Sequence, residues 1–279
     1  MRPARALVLS LFAVAACQEE EVVRNSSTLA FSTEGPLAEG FLAEPGLAAV
    51  EAWFRFGDDL AENVYFGVDQ EFVGGVDDPT RFPNEDFVAL VGVTRGGIVV
   101  AMRGGPDAAD GVVDDPLTWE PRLLGRELAP DVWHHVRVEA DFAALEYVRM
   151  VVESPDEETV IDLSGVPLAY PNAIPVDGRA MTWYAYAMAN ELPRGGTGTE
   201  VVIDDAAGYL WADGDWRQAY VEGFDREVAL RDVPFTFPVM PLSRVEDGVL
   251  YRENEGALLR FAPSEGRTGG ALVADAALP

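Results

Sequence analysis

The chain has 279 residues, 48 of them Asp or Glu against 20 basic, for a formal net charge of −28, and 48% are hydrophobic. Such a surface repels phosphate backbones and anionic headgroups, which argues against nucleic-acid binding and against a basic membrane patch. The apolar share excludes a disordered chain, and the single cysteine excludes an intramolecular disulfide.

Residues 1–16 have the three parts of a secretory signal: Arg2 and Arg5, an apolar run from Leu7 to Val14, and Ala15-Ala16 before Cys17. The run is too short to span ~30 Å of hydrocarbon at ~1.5 Å per residue. Val14-Ala15-Ala16-Cys17 resembles the bacterial lipobox. The resemblance implies export, cleavage before Cys17 and a membrane anchor of lipid on that cysteine, each buried CH₂ contributing ~0.8 kcal/mol. In that family an Asp after the cysteine favours inner-membrane retention. Gln18 stands there, so the expected location is the outer membrane or cell surface. Without Arg2 and Arg5, 18 arginines face 48 acidic residues, a mature charge of 18 − 48 = −30. Lys is absent, which reads as codon usage rather than chemistry. Residues 17–27 read as a polar lipidated tether, and the sequon Asn25-Ser26-Ser27 within it reads as chance.

From Thr28 onward the chain is rich in β-branched and aromatic residues, with Gly, Pro, Asn and Asp as regular punctuation. Strands are predicted over 28–33, 40–44, 48–56, 63–70, 86–94, 97–103, 132–142, 145–153, 158–163, 180–190 and 200–211. His134, Val136, Val138, Ala140 and Phe142 share one face of their strand, and His135, Arg137, Glu139 and Asp141 the other. Many short strands with almost no helix predict an all-β sandwich or barrel.

Four segments sharpen this: Val50 to Phe56 (VEAWFRF), Trp133 to Glu139 (WHHVRVE), Glu146 to Glu153 with Val160 to Leu163 and Leu168, and Val201 to Tyr209 (VVIDDAAGY). In this order they resemble strands of the concanavalin A-like lectin/glucanase superfamily, in its laminin-G-like branch. The resemblance covers 28–211 and implies a two-sheet antiparallel jelly roll, with Asp204-Asp205 anchoring the turn of the last strand. Residues 212–217 (ADGDWR) read as a turn-rich break. Beyond it, Leu259, Phe261, Gly266, Gly270 and Leu272 line up with Leu29, Phe31, Gly35, Gly40 and Leu42, and Ala219 to Asp225 resembles a first sandwich strand. Residues 218–279 are therefore expected to be an incomplete second copy or strands added to the edges of the first sandwich, since proteins avoid unpaired edges.

The superfamily includes glucanases, and retaining glycosidases need two carboxyls ~5 Å apart. Laminarinase-like members carry them on one strand as E-x-D-x-x-E. The nearest match, Glu139-Ala140-Asp141, is followed only by Glu146 beyond a turn at Ala143-Ala144, so the spacing fails. Glu139 and Asp141 are expected on a solvated face with Arg137. His134 and His135 are the only histidines, and adjacent strand residues cannot share a metal. Neither a G-x-S-x-G elbow nor the Q-x-H strand of alginate-lyase-like members is present.

Asp107, Asp110, Asp114 and Asp115 crowd one loop, and hard oxygen donors of this kind suit Ca²⁺, which laminin-G-like sandwiches often carry at a loop rim. Against this, the spacing is not an EF-hand, and Asp-Pro turns are common without metal. Tyr184 and Tyr186 share a face opposite Trp183. Exposed beside His135, Arg137, Glu139 and Arg149, they would stack on sugar rings and bond their hydroxyls; the alternative is packing between the sheets. His135 itself reads as a ring on the concave sheet or an ordinary strand residue. The expectation is a surface-tethered, non-catalytic sandwich that binds a glycan or a protein. The alternatives are a glycan-active enzyme with an unrecognised site and a purely structural envelope protein.

Overall fold

The structure is a computed structural model and describes residues 23–32, 46–73, 86–105, 107–108, 116–169, 180–192, 198–223, 229–233, 249–254, 258–267 and 269–275. In chain order the strands are β1 (Val23–Ser32), β2 (Leu47–Phe56), β3 (Val64–Val73), β4 (Asp86–Val88), β5 (Val91–Thr94), β6 (Ile98–Met102), β7 (Trp119–Leu123), β8 (His134–Asp141) and β9 (Glu146–Ser154). They continue with β10 (Glu157–Asp162), β11 (Ala180–Leu192), β12 (Glu200–Ala212), β13 (Asp215–Glu222), β14 (Ala229–Val233), β15 (Val249–Asn254), β16 (Leu258–Pro263) and β17 (Gly270–Asp275). Among the described residues the one helical element is a 3₁₀ turn at Pro116–Thr118.

The fold is a two-sheet antiparallel jelly-roll sandwich; the strand pattern predicted a sandwich or barrel, and the family resemblance implied the jelly roll. The first sheet runs β14-β15-β1-β11-β3-β5-β6-β7, with β4 also on β3; the second runs β10-β9-β8-β2-β12-β17-β16, with β13 also on β12. Only β14 and β15 pair parallel among the described strands. Alternate residues of both sheets meet in one core: Val50, Ala52, Phe54 and Phe56 of β2 and Val136, Val138 and Ala140 of β8 face Phe66, Val68 and Phe72 of β3 and Trp183, Ala185 and Ala187 of β11. Each fully buried large apolar side chain contributes about 1.5–3 kcal/mol. Trp183 fits because Gly208 lies beneath it: a Cβ at 208 would stand 2.4 Å from the indole.

Strand β7 (WEPRL) was not predicted, because Pro121 cannot donate to a ladder. It is tolerated because β7 closes the edge of its sheet. The predicted strand 86–94 is interrupted at Ala89 and Leu90, where Ala89 and Gln70 exchange both backbone hydrogen bonds before β5 begins. The predicted strand 40–44 lies outside the described residues.

Strand β12 shares its free edge between two partners. Glu200–Ile203 pair with β17 and Ala206–Ala212 with β13, while the opposite edge pairs with β2 throughout. The register on β2 shifts between Asp204 and Ala207, and Asp205 there has φ 44°. Asp205 and Ala206 thus face Ala52 alone, a bulge within the strand directly after Asp204, and Asp204-Asp205 do not, as expected, anchor its turn. Strand β1 lies inside the first sheet, between β11 and β15.

Candidate functional site

Strand β11 gives Trp183 to the core and so turns Tyr184 and Tyr186 to the outer face of the first sheet. Strand β8 gives Val136 and Val138 to the core and turns His135, Arg137 and Glu139 to the outer face of the second. The expected row of tyrosines beside Arg137 therefore does not form, since β11 and β8 belong to different sheets. Tyr184 and Tyr186 are moreover 2% exposed, which makes them neither an open platform nor a filling between the sheets. They belong to a buried polar cluster. Asp69 and Glu71 alternate along β3, each 5% exposed, and the Tyr184 hydroxyl donates to Glu71 Oε2 at 3.0 Å. Gly67 faces Gly92 across the β3–β5 ladder, and the Tyr186 hydroxyl stands 2.5 Å from where a Cβ at 92 would be. Burial, then Asp69 and Tyr65, pushes the Tyr186 phenol well up. The sequence reading missed Asp69-x-Glu71, although the period-two argument applied to Glu139 and Asp141 picks it out equally.

The second sheet carries the half-exposed face. Arg137 donates from Nη1 to Glu51 Oε2 at 2.6 Å and from Nε to Glu139 Oε1 at 3.2 Å, and its guanidinium lies 4.9 Å from the centroids of both Tyr209 and Trp216. Reaching Tyr209 on β12 takes this side chain across β2, where the outward residue Ala49 is small and fully buried. Arg149 donates to both oxygens of Glu139, at 2.9 and 3.0 Å. Glu139 is thus enclosed by two guanidinium groups, 8% exposed, and not the solvated carboxylate expected. The Tyr209 hydroxyl donates to Glu51 Oε1 at 2.7 Å. Burial pushes the Glu51 carboxyl up, but His135, Tyr209 and Arg137 outweigh it and hold it at about 2. Burial and the Glu51 carboxylate raise the Tyr209 phenol to about 12.

His135 stacks on Trp53, with ring centroids 4.9 Å apart, and stands 3.6 Å from both Glu51 and Glu153, an electrostatic approach longer than a hydrogen bond. His134 points the other way, into the core. Its Nε2–H donates to the Ala129 carbonyl at 2.8 Å, and its Nδ1 lies 2.8 Å from the Ser154 hydroxyl. Burial pushes its pKa down.

The structure therefore brings His135, Arg137, Glu139 and Arg149 together and adds Glu51, Trp53, Tyr209, Trp211 and Trp216. Trp216 was overlooked when ADGDWR was read as a break, and Trp211 stood unremarked at the end of the predicted strand 200–211. Asp213 (φ 53°) and Gly214 (φ 86°) make a two-residue hairpin turn, the conformation that Asp-Gly favours between strands. The turn sets Trp211 opposite Trp216, centroids 5.2 Å apart and rings at 76°. Tryptophans flanking Asp-Gly are the signal that would have found them.

Beside this face the turn between β16 and β17 is latched down. Arg267 lies 4.4 Å from the Trp53 centroid and 5.5 Å from that of Trp133, donates to Asp204 Oδ2 at 3.0 Å, and also contacts Asp205. Ser264 donates to Asp204 Oδ2 at 2.7 Å, the Trp133 indole to the Glu265 carbonyl at 2.8 Å, and Arg55 to Glu265 Oε2 at 2.6 Å. Burial raises the Asp204 carboxyl despite these partners.

Among the described residues no group of three His, Cys, Asp or Glu could hold a metal ion. Of the loop expected to hold calcium, Asp107 is described and exposed; Asp110, Asp114 and Asp115 lie outside the described residues, as does Cys17.

No family model and no curated protein matches the sequence. Solved structures that it resembles include an alginate lyase from Pseudomonas aeruginosa (9% identity, TM-score 0.23, 52% of this chain and 65% of that one). Another is a GH131 beta-glucanase catalytic domain from Podospora anserina (15%, 0.22, 55% and 62%). A third is the carbohydrate recognition domain of Emp46p (10%, 0.27, 61% and 83%). The match spans less than two thirds of the lyase and of the glucanase domain. These are β-sandwich jelly-roll proteins, and at such scores no residue role or activity passes from them to this chain.

Proposed function

We propose that this chain is an exported lipoprotein, tethered through lipid on Cys17, whose concanavalin A-like sandwich binds carbohydrate without catalysis on the outer face of its second sheet. The observation that carries this reading is the half-exposed set of Trp211, Trp216 and Tyr209 beside Arg137, Glu139 and Arg149. Flat rings bordered by fixed polar groups are what sugar rings and their hydroxyls require. A glycan array probed with the full-length protein, with and without Ca²⁺, tests it. Retention on at least one glycan, lost in Arg137→Ala, is expected; no retention under either condition overturns the reading. Retention only with Ca²⁺ would support the calcium proposed at Asp107, Asp110, Asp114 and Asp115.

A second reading, a glycan-active enzyme, draws on Asp69 and Glu71. Alternate residues of one strand are ~6.7 Å apart along it, within the range over which paired carboxyls act on glycosidic bonds. Their burial ranks this reading second. Release of reducing ends from polysaccharides, abolished in Glu71→Gln, would support it, and no release from a broad panel would end it.

A further inference from the structure

Resting on the reading that the second sheet's outer face binds carbohydrate, we infer that its ligand is an uncharged glycan whose ring stacks on Trp211. Trp211 is 43% exposed, and its contact with Trp216 is edge to face, so the pair does not bury both indoles against each other. One turn of the strand pleat away, Tyr209, Ala49, Glu139 and Arg149 lie in a single register line across β12, β2, β8 and β9. Three strand spacings make that line ~14 Å long, room for a short oligosaccharide lying across the strands.

The charges on this line are already matched. Arg137 is held by Glu51 and Glu139, and Arg149 by Glu139, two guanidinium groups against two carboxylates. Neither guanidinium carries a charge that the two carboxylates leave uncompensated for a uronate or sulfate. Asp141 and Glu146, paired with each other at the end of β8 and β9, add negative charge, and the whole chain carries −28. Anionic glycans are therefore repelled. Along the line itself an amino sugar meets carboxylates that arginine already compensates, Glu51 and Glu139, while Asp141 and Glu146 lie at its end. Sugar hydroxyls, which both donate and accept, suit what is left: the outer donors of Arg149, 47% exposed, and the remaining lone pairs of the carboxylates.

The test uses the full-length protein in detergent and measures binding of laminarihexaose, cellohexaose, mannohexaose, an oligogalacturonate and a chitosan hexamer at low and high salt. One or more of the neutral hexasaccharides is expected to bind with an affinity that salt leaves unchanged, because no ion pair forms. Trp211→Ala should weaken it about tenfold, and Trp211→Tyr, which keeps a ring, by less. Trp211→Ala also loses the edge-to-face contact with Trp216, so a small drop in thermal stability is expected in that variant, and binding is compared at a temperature where both variants are fully folded. Tighter, salt-sensitive binding of the oligogalacturonate or the chitosan hexamer overturns the inference of an uncharged ligand. Binding indifferent to Trp211→Ala overturns its placement. Binding of none of the five, together with a blank array, instead overturns the carbohydrate reading on which the inference rests.

Discussion

Replacing Glu51 by Gln removes the charge around which Arg137, Tyr209 and His135 are arranged, and its effect can be worked out from the structure. The carboxyl is held at about 2, against 4.5 for an ordinary glutamate. Because the folded value lies below the unfolded one, the stabilisation is fully present above 4.5 and is lost as pH falls from there towards 2. At about 1.4 kcal/mol per pH unit the gap corresponds to ~3 kcal/mol. The Glu51 side chain is 18% exposed at a sheet surface, and solvent screening lowers the expected contribution to about 2 kcal/mol. Urea unfolding followed by tryptophan fluorescence, repeated from neutral pH down to about 3, measures it. The Glu51→Gln variant should be less stable by about 2 kcal/mol at neutral pH, with the difference shrinking as pH falls below 4.5. A difference that stays constant with pH, or none at neutral pH, would refute the view that this carboxylate organises the face.

Three other outcomes follow from the packing and from the proposed tether. Gly208→Val puts a Cβ 2.4 Å from the Trp183 indole and should lower stability by about 1–3 kcal/mol, read as a lower urea midpoint; an unchanged midpoint would mean Trp183 packs elsewhere. Arg267→Ala leaves Asp204, 1% exposed, without its guanidinium, and should destabilise by about 3 kcal/mol while β16 and β17 lose hydrogen-exchange protection ahead of the core. Protection unchanged in those strands would show that the latch does not hold them. Cys17→Ser should move the protein from the membrane fraction to the soluble one, and continued sedimentation with membranes would remove lipid on Cys17 as the anchor.

Faces were legible in the sequence; sheets were not. Alternation placed His134 in the core and His135 outside it, and grouped His135, Arg137 and Glu139 correctly, because period two is a local property of extended backbone. The same rule placed Tyr184 and Tyr186 together, yet could not say that β11 joins β1 and β3 while β8 joins β2 and β9. That choice is made by pairings more than a hundred residues apart, such as Tyr184 with Asp69. Asp204 shows a related limit. Its partners Ser264 and Arg267 lie about 60 positions downstream, in the turn between β16 and β17. Local turn chemistry, by contrast, was available at Asp213-Gly214 and was read as a boundary when it marked a hairpin.

The interior position of β1 has a mechanical consequence. Thr28 pairs with Tyr186 on one side and Glu253 on the other, so the first described strand is gripped along both edges. Any pull transmitted through the residues before Val23 enters the sandwich along the axis of that strand. To extract it, backbone hydrogen bonds on both of its edges must break, whereas a strand at a sheet edge would be held along one. A domain held at one end and loaded at the other is thereby gripped where the force arrives.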